Sequence, residues 1–348
     1  MLRQYKQKIL EEYVKQLNDG PKQGTEEWLS RRKKTIGGSE ISTIIGVNRY
    51  SSIYVLLLNK TGLGQGHVGD IKTRWGNLFE DILCKYVEHD LHTEIIGDEL
   101  FIPGLIPEQS YSPDGLGVVE FDEEVEICGA KYKYRVAAAA LFEFKCPFNR
   151  IPNGSIPEYY VPQVKAGLDT IPVVDIGIFA EAVIRRCTID SLGYNPVYDS
   201  TLNGKTGRPV NTLPLAYGFV AFYDKESKPA VDPPIDYGQI SVAEVELLFE
   251  QAITKKIYNI WYSRPVYGDA QDTTKEDLLA VKDKRAVGIL PWKMFRVDYH
   301  KVSRPEGYID KYADKMKEII AVVDKCMKID KDNRLEIIDE YIEQSGHD

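Results

Sequence analysis

Two short stretches of this chain hold the residue types that phosphoryl chemistry needs. Tyr111-Ser112-Pro113-Asp114-Gly115 places an acid in a Pro-Asp-Gly turn. Downstream, Leu141-Phe142-Glu143-Phe144-Lys145-Cys146-Pro147 breaks an apolar run with a Glu and then a Lys. Side chains two apart on a strand share a face, so Glu143 and Lys145 project together while Phe142 and Phe144 face the core. Two carboxylates converging at a strand end can hold a hard divalent cation, with an ammonium beside them to steer a water. That arrangement hydrolyses phosphodiesters, and the chain reads first as a nuclease. Each half alone is commonplace, because Pro-Asp-Gly is a frequent turn and Glu-x-Lys often lies on a solvated face. The apolar character of the strand around Glu143 raises its weight, since an unpaired buried acid is costly.

The elements that must position these groups follow from hydrophobic spacing. Residues 1–17 read as an amphipathic helix, with no signal-peptide core and no cleavage site. Thr25 to Lys34 reads as a short helix capped by Thr25, and Ser39 marks the start of another. Ser51 to Lys60 is a further helix, ending at Gly62. Thr73 to Leu91 carries Trp75, Leu78, Phe79, Ile82, Leu83 and Tyr86 in one helical stripe, with Glu80 four residues beyond Gly76. Short β-like runs follow at Leu100 to Ile102, Val118 to Phe121, Glu124 to Cys128, Lys131 to Val136 and Leu141 to Lys145. A helix over Glu158 to Leu168 takes Pro162 in its first turn and carries Gln163. Val173 to Ala182 and Tyr217 to Tyr223 read as strands; Val242 to Trp261 and Ile309 to Lys325 read as helices.

Composition bounds the rest. The 348 residues are 43% hydrophobic and 28% charged, without an apolar run long enough to span a bilayer. Five cysteines without Cys-x-x-Cys spacing give no support to a zinc or iron–sulfur site and suit a reducing, intracellular setting. The five histidines have no metal-binding spacing. The net charge of −9 argues against nucleic acid if taken alone, yet residues 1–60 carry 11 Lys/Arg against 6 Asp/Glu.

The ordered series Trp28…Arg32…Gly37-Gly38-Ser39-Glu40, Trp75-Gly76-Asn77-Leu78-Phe79-Glu80, Ser112-Pro113-Asp114-Gly115-Leu116, Phe142-Glu143-Phe144-Lys145-Cys146-Pro147 and Tyr160-Val161-Pro162-Gln163-Val164 resembles the phage lambda exonuclease family. These are YqaJ-type viral recombinase nucleases within the PD-(D/E)xK superfamily, found in phages and large DNA viruses. The resemblance implies an α/β fold with a central mixed sheet flanked by helices. The expected divisions are an N-terminal helix over 1–24, a nuclease core over 25–235 with inserted strands at about 118–141, and a helical extension over 236–348. It implies Asp114, Glu143 and the Phe144 carbonyl as ligands of one Mg²⁺, which Mn²⁺ could replace, with Glu80 and Asp114 sharing a second ion. Lys145 would polarise the attacking water and Gln163 would orient the site. Arg32 and Ser39 match a pocket for a terminal 5′-phosphate, suited by a planar guanidinium fork and by hydroxyl and amide donors. Tyr160 is a candidate stacking contact.

The activity so implied is 5′ to 3′ degradation of double-stranded DNA in recombination or repair. An annealing protein and a ring-shaped homotrimer are the partners it suggests, in the cytoplasm or nucleus of a host cell. Two alternatives stay open: a structure-selective or RNA-cleaving endonuclease on the same core, and an inactive nucleic-acid-binding protein. Plain readings also stand beside individual residues, such as Glu80 pairing with Arg74 or Lys85. Asp114 and Glu143 lie 29 positions apart, far enough for an inserted pair of strands that could remodel a subunit interface.

Overall fold

The run from Ala137 to Phe144 is apolar at every position except Glu143, the signature of a strand covered on both faces. In the computed structural model its side chains divide by parity. Ala138, Ala140, Phe142 and Phe144 enter one core, whereas Ala137, Ala139 and Leu141 enter another. The structure describes residues 2–23, 25–64, 71–127, 130–187, 191–194, 197–199, 210–224, 258–268 and 286–346.

The chain opens with α1 (Leu2–Leu17), α2 (Glu26–Lys33), β1 (Ile36–Gly37), α3 (Ile41–Ile44), α4 (Ile53–Thr61) and α5 (Ile71–Asp90). Thr25 caps α2 by accepting from the Trp28 N–H, and Gly62 closes α4 in the left-handed conformation at φ 76°. Next come β2 (Ile102–Pro103), β3 (Gln109–Tyr111), β4 (Gly115–Ile127), β5 (Ala130–Lys145), α6 (Val161–Thr170) and β6 (Ile176–Arg186). The described remainder comprises β7 (Val197–Asp199), β8 (Val210–Thr212), β9 (Ala216–Asp224), β10 (Tyr258–Tyr262), β11 (Val266–Tyr267), β12 (Ala286–Ser303), α7 (Ala313–Met327) and α8 (Arg334–Ser345).

The main sheet runs β10-β9-β12-β6-β5-β4, with β11 also pairing β9. Among the described pairs of this sheet only β5–β6 is parallel, joined by the crossover helix α6; the others are antiparallel. On one face Trp75, Leu78, Phe79, Ile82 and Leu83 of α5 pack against Phe142, Phe144, Ala180 and Trp292. On the other, Leu10 of α1 and Val164 and Leu168 of α6 pack against Leu141 and Phe179. Helices α3, α4, α7 and α8 share a third core with Ile36 and Ala166. The N- and C-terminal segments are thereby clamped together.

Residues 118–141 do form a pair of strands, continuous with the site-bearing ends of β4 and β5 as one hairpin from Gly115↔Phe142 to Ile127↔Ala130. Two features depart from the sequence-based expectations. The part after residue 236 is not purely helical. Tyr258–Tyr262, expected to end a helix, is β10, and β12 lies inside the sheet between β6 and β9. Residues 242–257 of that expected helix lie outside the described set. Helix α6 starts at Val161 rather than at 158, because Pro162 offers no N–H and restricts the residues before it.

Candidate metal-dependent nuclease site

Register decides the centre of the site. With Gly115 opposite Phe142, Asp114 arrives beside the end of β5, and its Oδ2 accepts a hydrogen bond from the Phe144 N–H at 2.7 Å. Glu143 shares the inward parity of Leu141 and is fully buried. The Tyr111 hydroxyl donates to Glu143 Oε2 at 3.4 Å. Lys145 Nζ donates to Glu143 Oε1 and, at 2.8 Å, to the Phe144 carbonyl, and it lies 3.8 Å from Asp114 Oδ2. The ammonium is thus surrounded by the three oxygen donors expected to bind a cation. It stands in for a positive ion among them.

Electrostatics agree. Burial, with the Asp114 charge behind it, pushes the Glu143 carboxyl up to about 8. The same two causes push Glu80, half-buried on α5, up to about 7, with Lys145 opposing. For Lys145, burial favours the neutral amine, but Glu143, Asp114 and Glu80 outweigh it and hold its titration well above the usual lysine range. Two acids whose proton affinity is raised beside a third carboxylate, around a single ammonium, form a site short of positive charge. A divalent cation would correct that deficit. Among the described residues no three His, Cys, Asp or Glu side chains already form a closed cage. Lys145 would have to turn away from the carboxylates for an ion to enter.

The second expected element is the Arg32–Ser39 pocket. Arg32 Nη2 donates to Ser39 Oγ at 3.4 Å, and its guanidinium stacks 5.1 Å from the Trp28 ring centroid. The fork lies on bare backbone: a Cβ on Gly37 would sit 2.6 Å from Arg32 Cζ. Trp28 Nε1 donates to Ser112 Oγ at 3.3 Å, two residues before Asp114, so the pocket and the acidic centre share one wall. Tyr160 lies beside the centre, its ring 5.4 Å from Lys145 Nζ. Gln163 occupies the first turn of α6, half-buried, and no described hydrogen bond joins its amide to the acids.

Several positioning residues escaped the sequence reading. Lys60 is buried and donates to the carbonyls of Arg32 (3.0 Å) and Thr35 (2.6 Å) and to Glu40 Oε2 (2.9 Å). Glu40 Oε2 also accepts the Gly37 N–H at 2.7 Å, so the pair pins the loop that carries the pocket. The Tyr111 ring fills the space beside Gly38 and Gly167 while its hydroxyl reaches Glu143. Glu181, fully buried on β6 opposite Lys145, is held by Arg150 through both guanidinium nitrogens. Glu181 carried the same signal as Glu143, a lone acid in an apolar strand. Lys60 resembled an ordinary C-terminal helix cation.

A family model for the YqaJ-like viral recombinase domain matches residues 27–170, the span that holds every residue placed above except Glu181. The chain is also 31% identical over 317 residues to a protein of African swine fever virus, an alignment covering 87% of this chain and 86% of that relative. The chain belongs to the YqaJ-like viral recombinase family. A second African swine fever virus isolate gives 31% over 314 residues, again with 87% and 86% coverage. The uncharacterized protein YqaJ of Bacillus subtilis is 41% identical over 66 residues, 18% of this chain and 20% of its own. Two crystal structures of the alkaline exonuclease LHK-Exo from Laribacter hongkongensis, one in complex with dAMP, superpose with TM-scores of 0.38 and 0.39. They are 12% and 11% identical, covering 92% of this chain and 98% of theirs. Among the described residues no helix is long and apolar enough to cross a membrane.

Proposed function

We propose that this family member is a divalent-metal-dependent deoxyribonuclease that degrades double-stranded DNA from a 5′-phosphorylated end. One observation carries the reading: Asp114, Glu143 and the Phe144 carbonyl surround a cationic group, and they share a wall with the Arg32–Ser39 fork. Mg²⁺ suits such hard oxygen donors, held by Asp114, Glu143 and the Phe144 carbonyl, with Glu80 and Asp114 available to a second ion. When bound, such cations supply Lewis acidity and neutralise phosphate charge.

The chain's own groups do the rest. Lys145, released from Glu143, offers its N–H donors to a water between the acids and the phosphodiester. Arg32 and Ser39 grip the terminal phosphate and set how far the strand enters, and Gln163, in the first turn of α6, would help to orient the site. A DNA annealing protein and a ring-shaped trimer fit an enzyme that leaves a 3′ overhang.

Cleavage of a 5′-phosphorylated duplex in Mg²⁺ tests the reading directly. Asp114→Ala and Glu143→Gln should each abolish mononucleotide release and lower Mn²⁺ occupancy measured by calorimetry. Undiminished cleavage by Asp114→Ala would sink the metal assignment. A covalently closed circle should survive intact; its breakdown would favour the endonuclease alternative.

A further inference from the structure

Among the described residues Tyr50 is the most exposed large apolar side chain, at 72%. It is nevertheless fixed in place. Val47 and Asn48 N–H groups both donate to the Ser42 carbonyl, at 3.0 and 3.1 Å. Asn48 Nδ2 donates to Thr43 Oγ1 at 2.9 Å, and Asn48 Oδ1 accepts the Tyr50 N–H at 3.0 Å. The Tyr50 ring meets the Tyr159 ring edge-on, with centroids 5.3 Å apart, and Arg49 lies over both rings at 5.7 and 5.1 Å. An aromatic ring this exposed gains little from its place in the fold. Its rigid support means that it would lose little entropy on meeting a flat partner.

The rings continue inward. Tyr159 packs on Tyr160 at 4.4 Å, and Tyr160 faces Lys145 Nζ at 5.4 Å. From the ammonium to the Tyr50 ring is therefore at most about 15 Å, the rise of about four nucleotides at ~3.4 Å each. Aromatic steps flanked by arginine are how proteins hold unpaired bases without reading their sequence. Arg49 is exposed beside the outer ring, and Arg150 supplies a second guanidinium near the inner end.

We propose that Tyr50, backed by Tyr159 and Arg49, is a stacking ledge for an unpaired nucleobase of the DNA within about four nucleotides of the scissile phosphate. The ledge holds the frayed end of the duplex open as the strand feeds toward Lys145. The inference rests on the nuclease reading for its substrate but not on catalysis for its test.

The probe is a 5′-phosphorylated duplex carrying 5-iododeoxyuridine at each of the first few positions of either strand, bound to the full chain with divalent metal chelated. Irradiation should yield a covalent adduct mapped to Tyr50 by peptide mass spectrometry. Duplex binding with adducts only elsewhere would overturn the ledge. Tyr50→Trp should keep affinity for the duplex, while Tyr50→Ala and Tyr50→Leu should each weaken it roughly 5- to 100-fold. Equal affinity of the Leu variant and the native chain would show that no aromatic face is needed and would refute stacking. The two readings separate cleanly. A Tyr50 adduct in a chain that cleaves nothing in Mg²⁺ or Mn²⁺ refutes only the nuclease reading. Normal cleavage by Tyr50→Ala, with no adduct at Tyr50, refutes only the ledge.

Discussion

Gly37→Ala is the sharpest probe of the proposed 5′-phosphate pocket. The backbone there has φ −80° and ψ 161°, an extended conformation that alanine adopts without strain. The new methyl would stand 2.6 Å from Arg32 Cζ and 2.8 and 2.9 Å from its two terminal nitrogens. Ordinary carbon contacts begin near 3.5 Å, so the guanidinium must retreat by about 1 Å. That retreat disturbs its 3.4 Å contact with Ser39 and its stack on Trp28.

A charge-assisted hydrogen bond is worth about 1.5–3 kcal/mol, so losing the fork should lower kcat/KM for a 5′-phosphorylated duplex roughly 10- to 150-fold. A 5′-hydroxyl duplex, which never used the fork, should be cut as before. Thermal stability should hold or rise slightly, since alanine restricts the unfolded chain by about 0.4–1 kcal/mol. Steady-state rates on both duplexes, with a melting curve for each protein, decide the matter. An unchanged preference for the phosphorylated end would refute the assignment of Arg32. Equal losses on both ends would show that the loop serves catalysis and not phosphate recognition.

Further expectations follow from the buried charges. Glu80 and Glu143, raised to about 7 and about 8, keep protons in the fold that the unfolded chain has already released. Metal-free stability should therefore fall as the pH climbs from about 5 to about 8, and Mg²⁺ should offset the fall. Melting curves in chelator should show a shallower decline for Glu143→Gln; an identical decline would contradict the assignment. Lys60→Met removes three hydrogen bonds to the pocket loop and should cost about 1–3 kcal/mol by denaturant titration, with a larger loss on phosphorylated than on hydroxyl ends. Arg150→Ala strands the Glu181 carboxylate among apolar neighbours and should cost about 3–5 kcal/mol. Arg150→Ala combined with Glu181→Gln should recover much of that loss.

Where one strand or helix carried its own message, the sequence was readable. The α5 stripe, the Thr25 cap, the Gly62 stop and the parity of Phe142, Glu143, Phe144 and Lys145 are local, and each appears in the fold. What stayed hidden depends on partners far away in the chain. The acidic and basic arms of the β4–β5 hairpin looked like four short strands because Asp122-Glu123 and the alanine run 137–140 interrupt their alternating stretches. Only pairings such as Glu124↔Lys133 make them continuous. Strand β12 reads as a mixed stretch because Trp292 and Met294 face one core, Ile289 enters another, and its end is half-exposed. Lys60 looked like a helix-end cation because nothing near it in sequence shows that three acceptors close over it.

The placement of β12 has a consequence for how the protein comes into being. Residues 286–303 separate β6 from β9, and their pairs run from Trp292↔Arg186 to Ser303↔Ile176. Until that strand is synthesised, β6 has one bare edge, and β9 has no neighbour on the side facing the site. Contacts of such sequence separation form slowly and leave strand edges open to other chains meanwhile. The 25–235 segment expressed by itself would carry every acid of the site on an unfinished sheet. The sheet that carries the candidate site can therefore close only after residue 303 has left the ribosome.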